Sequence, residues 1–261
     1  MPVLEVDGLT KSYGDVLAVA DLSVALEAGE TLVLLGKNGA GKTTALRCMA
    51  GVLEPTAGCV RVHGFDSRQR PDEVRAEVGL VPEVPGLYDR MPAGDYLDHF
   101  GRLYGIATAE RAARIGELLD RFDLASAGRR WLGSYSKGMR QKVALMRATL
   151  HKPRLVLADE PTSALDPDSK RVAWRYLEEL REAGASLVVC THDMDEAAAL
   201  AGRVGVMVRG RLLAEGTVSD LIDASGLERR QETVERPSLE EIYVAIVADG
   251  GRAAMRALEL V

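Results

Sequence analysis

Gly36-Lys37-Asn38-Gly39-Ala40-Gly41-Lys42-Thr43-Thr44 fits the pattern G-x-x-x-x-G-K-[ST] from Gly36 to Thr43, with Thr44 as a second hydroxyl. The apolar run Thr31–Leu35 precedes it and reads as a strand; residues 45–50, ending at Gly51, read as a helix. Strand, glycine loop and helix in that order are the setting in which this pattern binds phosphate. The glycines let backbone N–H groups curl inward with no Cβ in the way. The helix start adds free N–H groups and a positive dipole end. In such a loop Lys42 reaches the β- and γ-phosphates, and the Thr43 hydroxyl ligands Mg²⁺. The plain alternative is a Gly-rich turn with a chance Lys-Thr, and the flanking elements weigh against it. The loop alone leaves kinase, GTPase, motor and transporter ATPase open.

Length and composition narrow the field. A chain of 261 residues is long enough for one large α/β domain, or for one domain with a subdomain inserted. Hydrophobic content of 47% with 28% charged residues is that of a soluble globular protein. A net charge of −6 argues against a general nucleic-acid binder, which carries a basic excess. Cys48, Cys59 and Cys190 have no metal spacing and are too few for a disulfide scaffold, so reduced thiols in a cytosolic protein are expected. No apolar run reaches the roughly 18 residues of a membrane span. The first five residues lack the charged start and apolar core of a secretion signal. Any membrane role must therefore come from a partner.

The first thirty residues read as strands and turns. Residues 4–6, 16–20 and 22–26 are the strands, Lys11-Ser12-Tyr13-Gly14-Asp15 is the first turn, and residues 27–30 are the second. Tyr13 is a lone aromatic ahead of the glycine loop. It could stack on an adenine ring; a turn aromatic packing on the core is the better reading at this point. Residues 59–62 and 78–81 read as further strands, with a short helix over residues 71–77 between them. From about residue 85 to 148 the pattern turns helical. Tyr96, Leu97, Phe100, Leu103 and Tyr104 form one apolar face, and Ile115, Leu118, Leu119 and Phe122 a second. A helical block between strands reads as an inserted subdomain whose aromatics pack helix on helix.

The second half carries the remaining chemistry. Ser136 is placed to cap the helix holding Val143, Met146 and Leu150, and Gly138 stands beside it. On its own this is an ordinary helix cap. Residues 155–158 form an apolar strand that delivers Asp159 and Glu160 to its C-terminal edge. There Asp159 can hold a nucleotide-bound Mg²⁺, and Glu160 can polarise the attacking water as general base. An acidic turn after a strand is the alternative; the upstream glycine loop favours catalysis. Asp166 and Pro167 open a helix over residues 167–183, and residues 186–190 form a strand ending at Thr191-His192-Asp193. A His at a strand's C-terminal edge lies where open α/β sheets bind ligands. Three strand ends thus point to one place.

Taken in order, Tyr13, Gly36–Thr44, Ser136-Lys137-Gly138-Met139-Arg140-Gln141, Asp159-Glu160, residues 163–166 and His192 resemble an ATP-binding cassette (ABC) ATPase subunit along almost the whole chain. The resemblance implies an α/β fold: a P-loop NTPase core with a mixed sheet, an N-terminal antiparallel β subdomain and an inserted helical subdomain at about 85–148. The ATPase domain would occupy residues 1–225, and residues 226–261 a charged link and a helical extension. It implies ATP and Mg²⁺ as ligands and makes Tyr13 the adenine-stacking aromatic, reversing the reading above. It also implies a head-to-tail dimer, with a second copy or a homologous subunit, in which Ser136 and Gly138 contact the γ-phosphate bound opposite. Asp166 would couple the two sites, and His192 would clasp the γ-phosphate. Lys137 and Met139 depart from the commonest residues of that signature loop.

A further departure follows the strand at residues 78–81. The family commonly has a glutamine there that reaches Mg²⁺ and relays to the membrane subunit; this chain has Pro82-Glu83. A carboxylate can ligand Mg²⁺ at least as well as an amide, at the cost of negative charge near the phosphates. Glu83, residues 85–89, Tyr135–Met139 and residues 238–243 resemble the branch of sodium, drug and polysaccharide export ATPases. The expectation is a cytoplasmic ATPase held at the inner face of the cell membrane by a separate transmembrane permease, with no nucleic-acid partner. A soluble ABC ATPase of repair, translation or cluster assembly is the alternative, its repair and translation types weakened by the lack of a long coiled-coil insertion or a second cassette. A small-molecule kinase fails to explain Ser136–Met139 or the strand end at His192. Ser238 and Glu241 read as a capping box opening a last helix, and Gly226–Arg236 as a solvated charged link. Residues 252–261 read as an amphipathic docking segment.

Overall fold

The computed structural model describes residues 2–225 and 238–248. Strands β1 (Leu4–Tyr13) and β2 (Val16–Leu26) form an antiparallel hairpin. Along the second half of β2 buried and exposed residues alternate, as in a sheet that packs on one face only. The turn is tighter than the sequence predicts. Lys11, Ser12 and Tyr13 continue β1 and pair with Val19, Leu17 and Val16 across a register shift between Lys11 and Ser12, and only Gly14 and Asp15 turn. Gly14, at φ 56°, allows this because it lacks a Cβ.

β3 (Thr31–Leu35) is buried on both faces and runs through the glycine loop into α1 (Lys42–Met49). The chain returns through β4 (Ala57–Val62) and β5 (Phe65–Asp66) to the first sheet, whose order is β2-β1-β4-β5, all antiparallel. Helix α2 (Pro71–Glu77) then leads into β6 (Val78–Val81). Helices α3 (Ala93–Leu103), α4 (Thr108–Arg121) and α5 (Lys137–Thr149) follow. Next come β7 (Leu155–Asp159), α6 (Pro167–Glu182), β8 (Ser186–Thr191) and α7 (Met194–Leu200). Strands β9 (Arg203–Val208) and β10 (Arg211–Gly216) and helices α8 (Val218–Ser225) and α9 (Leu239–Ala248) complete the described chain.

The second sheet has the order β10-β9-β3-β8-β7-β6, parallel except for the edge pair β9–β10. A mixed sheet beside an antiparallel one is the predicted fold class. Period-2 geometry divides β3 between two cores. Leu32 and Leu34 face the antiparallel sheet across Ala45, Leu46, Cys48 and Met49 of α1. Val33 and Leu35 face the opposite core, with Val143 and Met146 of α5, Leu177 of α6 and Ile242 of α9.

In the helical block Tyr96 and Leu97 are fully buried, and the Tyr96 and Phe100 rings pack at 4.8 Å. The predicted face is narrower than its spacing implied. Leu103 is 68% exposed, and Tyr104 turns aside to stack on the His151 ring at 3.7 Å. The capping box at the last helix is formed: Glu241 Oε2 accepts from the Ser238 N–H at 3.0 Å, and Ser238 Oγ from the Glu241 N–H at 3.3 Å. The readings of residues 226–236 and 252–261 lie outside the described residues.

Helix α5 packs so closely on β6 that a Cβ added at Gly79 would lie 2.1 Å from the Ala148 carbonyl oxygen. A backbone group must shift to admit it. Gly79→Ala is expected to cost about 1–3 kcal/mol of stability in denaturant unfolding, the usual range for overpacking.

Candidate functional site

β3 ends where its neighbour β8 ends, and the Gly36 N–H donates to the Thr191 carbonyl at 3.2 Å. The glycines beyond it answer two separate demands. Gly39 and Gly41 have φ of 80° and 100°, and a Cβ on Gly41 would fall 2.3 Å from the Ala18 carbonyl. Gly36 has no conformational need, yet a Cβ there would meet the Met207 carbonyl at 2.4 Å. Gly41 caps α1 without offering a side-chain acceptor, so the helix's first N–H groups keep their capacity for an anion.

Lys42, the first helical residue, is buried and folds back over the loop. Its ammonium donates to the Gly36 carbonyl at 2.6 Å and to the Lys37 carbonyl at 3.4 Å, and lies 3.6 Å from Glu160 Oε1. Glu160 follows β7 directly at φ 47°, a left-handed conformation unusual for a residue with a side chain. Its N–H is anchored to the Cys190 carbonyl of β8 at 2.8 Å. The buried carboxylate meets His192 Nδ1 at 2.8 Å on one oxygen and the Thr191 hydroxyl at 3.5 Å on the other. The His192 side chain is 52% exposed and faces outward from this contact. Adjacent strands in the order β3-β8-β7 therefore bring the glycine loop, His192 and Glu160 together.

Asp159, the last residue of β7, is buried. Burial pushes its carboxyl above the usual range, against the bond from the Thr43 hydroxyl; the negative charges of Glu83 and Glu160 push further upward. Its Oδ1 has no hydrogen-bond partner. A buried carboxylate oxygen left open beside a hydroxyl and a second carboxylate is a hard oxygen set, and it fits a small divalent cation. A cleft of about 480 Å³ is lined by Val16, Leu17, Ala18, Asn38–Thr44, Glu83, Asp159 and Glu160. A larger cleft of about 1230 Å³ between α4 and α6 shares none of these residues.

Tyr13 is not in the cleft's lining. Its ring is 49% exposed, with the Lys11 ammonium 5.4 Å above it, and the exposed Val16 and Leu17 line the cleft instead. These two were not singled out in the sequence; two apolar residues directly after a hairpin turn were the available signal. Ser136, Gly138 and Asp166 also lie outside the cleft, and they share a different surface. Ser136 Oγ accepts from the Met139 N–H at 3.2 Å, capping α5. A Cβ on Gly138 would stand 2.8 Å from the Ala164 carbonyl, so the capped turn lies against residues 163–166. Asp166 Oδ1 accepts from the Ser169 N–H at 3.0 Å, and bonds with Ser169 draw its carboxyl down to about 2. Gln141 donates to the Pro82 carbonyl at 3.4 Å, tying α5 to the segment that carries Glu83. Burial holds the Cys48 thiol up at about 11 and raises Cys190 well above its ordinary value, so both are inert.

A lysine-bearing glycine loop at a helix start, with a buried Asp-Glu pair and a histidine on neighbouring strands, defines a P-loop ATPase site. Residues 19–163 match the ABC transporter family, and the chain belongs to it. The ABC transporter ATP-binding protein NatA of Bacillus subtilis is 41% identical over 82% of this chain and 87% of its own length. The daunorubicin/doxorubicin resistance ATP-binding protein DrrA of Streptomyces peucetius is 36% identical over 85% and 68%. Among solved structures, an ATP-binding subunit of an ABC transporter superposes with a TM-score of 0.84 at 31% identity, covering 94% of this chain and 99% of that one. A dimeric ATP-binding cassette in a post-hydrolysis state, bound to ADP and Pi, gives 0.77 at 26% identity over 82% and 98%. The chain is an ATP-hydrolysing subunit of an ABC transporter. No helix among the described residues is long and apolar enough to cross a membrane.

The raised Asp159 carboxyl makes a prediction with a defined sign. The folded chain holds this proton at a higher pH than the unfolded chain does, so the ionised carboxylate costs stability above that window. Asp159→Asn is expected to raise the Tm of the nucleotide-free, metal-free protein at pH 7. The gain should shrink as pH falls and Asp159 protonates in the parent, while Mg²⁺-dependent hydrolysis is lost.

Proposed function

We propose that the chain powers an exporter, with residues 1–225 as the ATPase domain and Glu160 as the base of hydrolysis. The observation that carries this reading is the Glu160 carboxylate, held between Lys42 and His192 at the ends of adjacent strands. Incoming β- and γ-phosphates give Lys42 a better partner than the carbonyls of Gly36 and Lys37. As Lys42 turns to them, Glu160 becomes available to a water in the cleft. Glu160 accepts that water's proton, the oxygen bonds to the γ-phosphorus, and the β–γ bridge breaks to leave ADP and phosphate. His192 steadies Glu160 through Nδ1 and presents the rest of its ring to the γ-phosphate.

Thr43, Asp159 and Glu83 would hold Mg²⁺, which neutralises phosphate charge when bound. The open Oδ1 of Asp159 supports that assignment. Ser136 and Gly138 belong to the opposite half of the device. Sharing a surface with Asp166, away from the chain's own cleft, they are placed to close over the nucleotide of a second copy. Tyr13 and the neighbouring Val16 and Leu17 take the adenine ring.

The names of the relatives, a daunorubicin/doxorubicin resistance protein and a Nod factor export protein among them, support export as the direction of transport. The work would be delivered to separate permease subunits at the inner face of the membrane, with the transported molecule chosen by the permease.

Glu160→Gln is expected to bind ATP, to lose roughly 10²–10⁴-fold in kcat as expected for a lost general base, and to accumulate as an ATP-dependent dimer in light scattering. Glu83→Ala should raise the Mg²⁺ concentration needed for half-maximal turnover. An unaltered Mg²⁺ titration would remove Glu83 from the metal set. Affinity capture from native membranes should recover a permease, and recovery of a soluble complex alone would decide for the non-transport alternative.

A further inference from the structure

Four residues after His192, Glu196 is 1% exposed. In the sequence it looks like an acid in the first turn of a helix, placed to favour the dipole and to close a capping box with Asp193. The structure gives the cap to Asp193 alone. Asp193 Oδ1 accepts from the N–H groups of Asp195 and Glu196 at 2.9 and 3.2 Å, and the Asp193 N–H donates to the Thr191 hydroxyl at 3.0 Å. This leaves the Glu196 side chain to turn inward. Its Oε1 accepts from the Thr162 hydroxyl at 2.7 Å and from the Trp174 indole N–H at 3.2 Å, and the Thr191 hydroxyl is a third neighbour.

These three residues stand on segments that the proposed reaction must hold in register. Thr162, itself buried, is in the short loop joining Glu160 to Asp166. Trp174 is on α6, the helix that Asp166 caps. Thr191 ends β8 beside His192 and also lies 3.5 Å from Glu160 Oε2. Among the described residues these hydrogen-bond donors are neutral, and burial together with the Glu160 charge drives the carboxyl's proton affinity upward. A buried carboxylate is a costly acceptor for neutral donors, yet without it the Thr162 hydroxyl and the Trp174 indole N–H would be left unpaired, so Glu196 ties the loop after Glu160 to α6.

We propose that Glu196 is a positioning residue for hydrolysis, acting through Thr162 on the loop between Glu160 and Asp166 and through Thr191 on the strand end that carries His192. The inference rests on the reading of Glu160 as the base. It goes beyond that reading by making the base's placement depend on a carboxylate that never touches nucleotide.

The test compares purified Glu196→Ala, Glu196→Gln, Thr162→Val and Glu160→Gln with the parent, measuring the Kd for ATP and steady-state hydrolysis. Glu196→Ala should lose about tenfold or more in kcat with the Kd within about twofold, as expected for a lost alignment rather than lost binding. Glu196→Gln keeps an acceptor oxygen and should recover to within about threefold of the parent. Thr162→Val should lose severalfold in kcat, and adding Glu196→Ala to it should cost far less than in the parent. Parent-like kcat in Glu196→Ala, a matching loss of ATP affinity, or no recovery in Glu196→Gln overturns the proposal. If Glu196→Ala does not fold, Thr162→Val decides: parent-like kcat there overturns it. Glu160→Gln separates the two readings. If it hydrolyses ATP at the parent rate, the base assignment falls and this inference with it; if it is inactive while Glu196→Ala is not, only this inference falls.

Discussion

The close approach of Lys42 and Glu160 is the constraint around which the rest is arranged. Each side chain is less than one-tenth exposed, and their charged atoms are 3.6 Å apart. A buried ion pair is a poor source of stability, because desolvating two charges offsets most of their attraction. Its worth here is that both charges are held ready beside the cleft. The glycine loop supplies carbonyls to satisfy the ammonium; β8 supplies a histidine and a hydroxyl to satisfy the carboxylate. Moving either strand end would leave a buried charge without its partner, which costs far more than the pair contributes. The sheet order β3-β8-β7 is thus fixed electrostatically as well as by packing.

What the sequence made legible was local. Gly36–Thr44 declares itself because a phosphate loop needs its glycines and lysine at fixed offsets, and Asp159-Glu160 and His192 because each follows a short apolar strand directly. The helical block was likewise legible from its period-3.6 pattern and single strands from short apolar runs, whereas the antiparallel and mixed sheets they form were implied by the family resemblance. What stayed hidden depends on neighbours distant in the chain. Spacing put Leu103 and Tyr104 on the buried face, yet one is exposed and the other is drawn off by His151. Lys11–Tyr13 reads as a turn because charge and glycine cluster there; cross-strand pairing with β2 overrides that signal. Glu196 carries the strongest disguise. Its position suits a helix start on the surface, and only its burial against Thr162 and Trp174 shows an inward role.

The site residues also divide by surface. Those that line the cleft come from the glycine loop, the end of β7 and the segment after β6. Ser136, Gly138 and Asp166 are grouped elsewhere by the fit of Gly138 against the Ala164 carbonyl. That fit leaves no room for a side chain at position 138 and packs the α5 cap directly against the 163–166 turn.

The central place of β8 has a consequence for how the site comes into being. β3 and β7 carry the glycine loop and the Asp-Glu pair, but they are not neighbours; β8, made later, stands between them. A nascent chain ending near residue 185 would carry the phosphate loop and Glu160 on strands whose shared neighbour is not yet made. Gly36 and Glu160 would then lack the Cys190, Thr191 and His192 contacts that β8 and the residue after it supply. The geometry of the site is therefore completed by a strand that the chain makes after both of its neighbours.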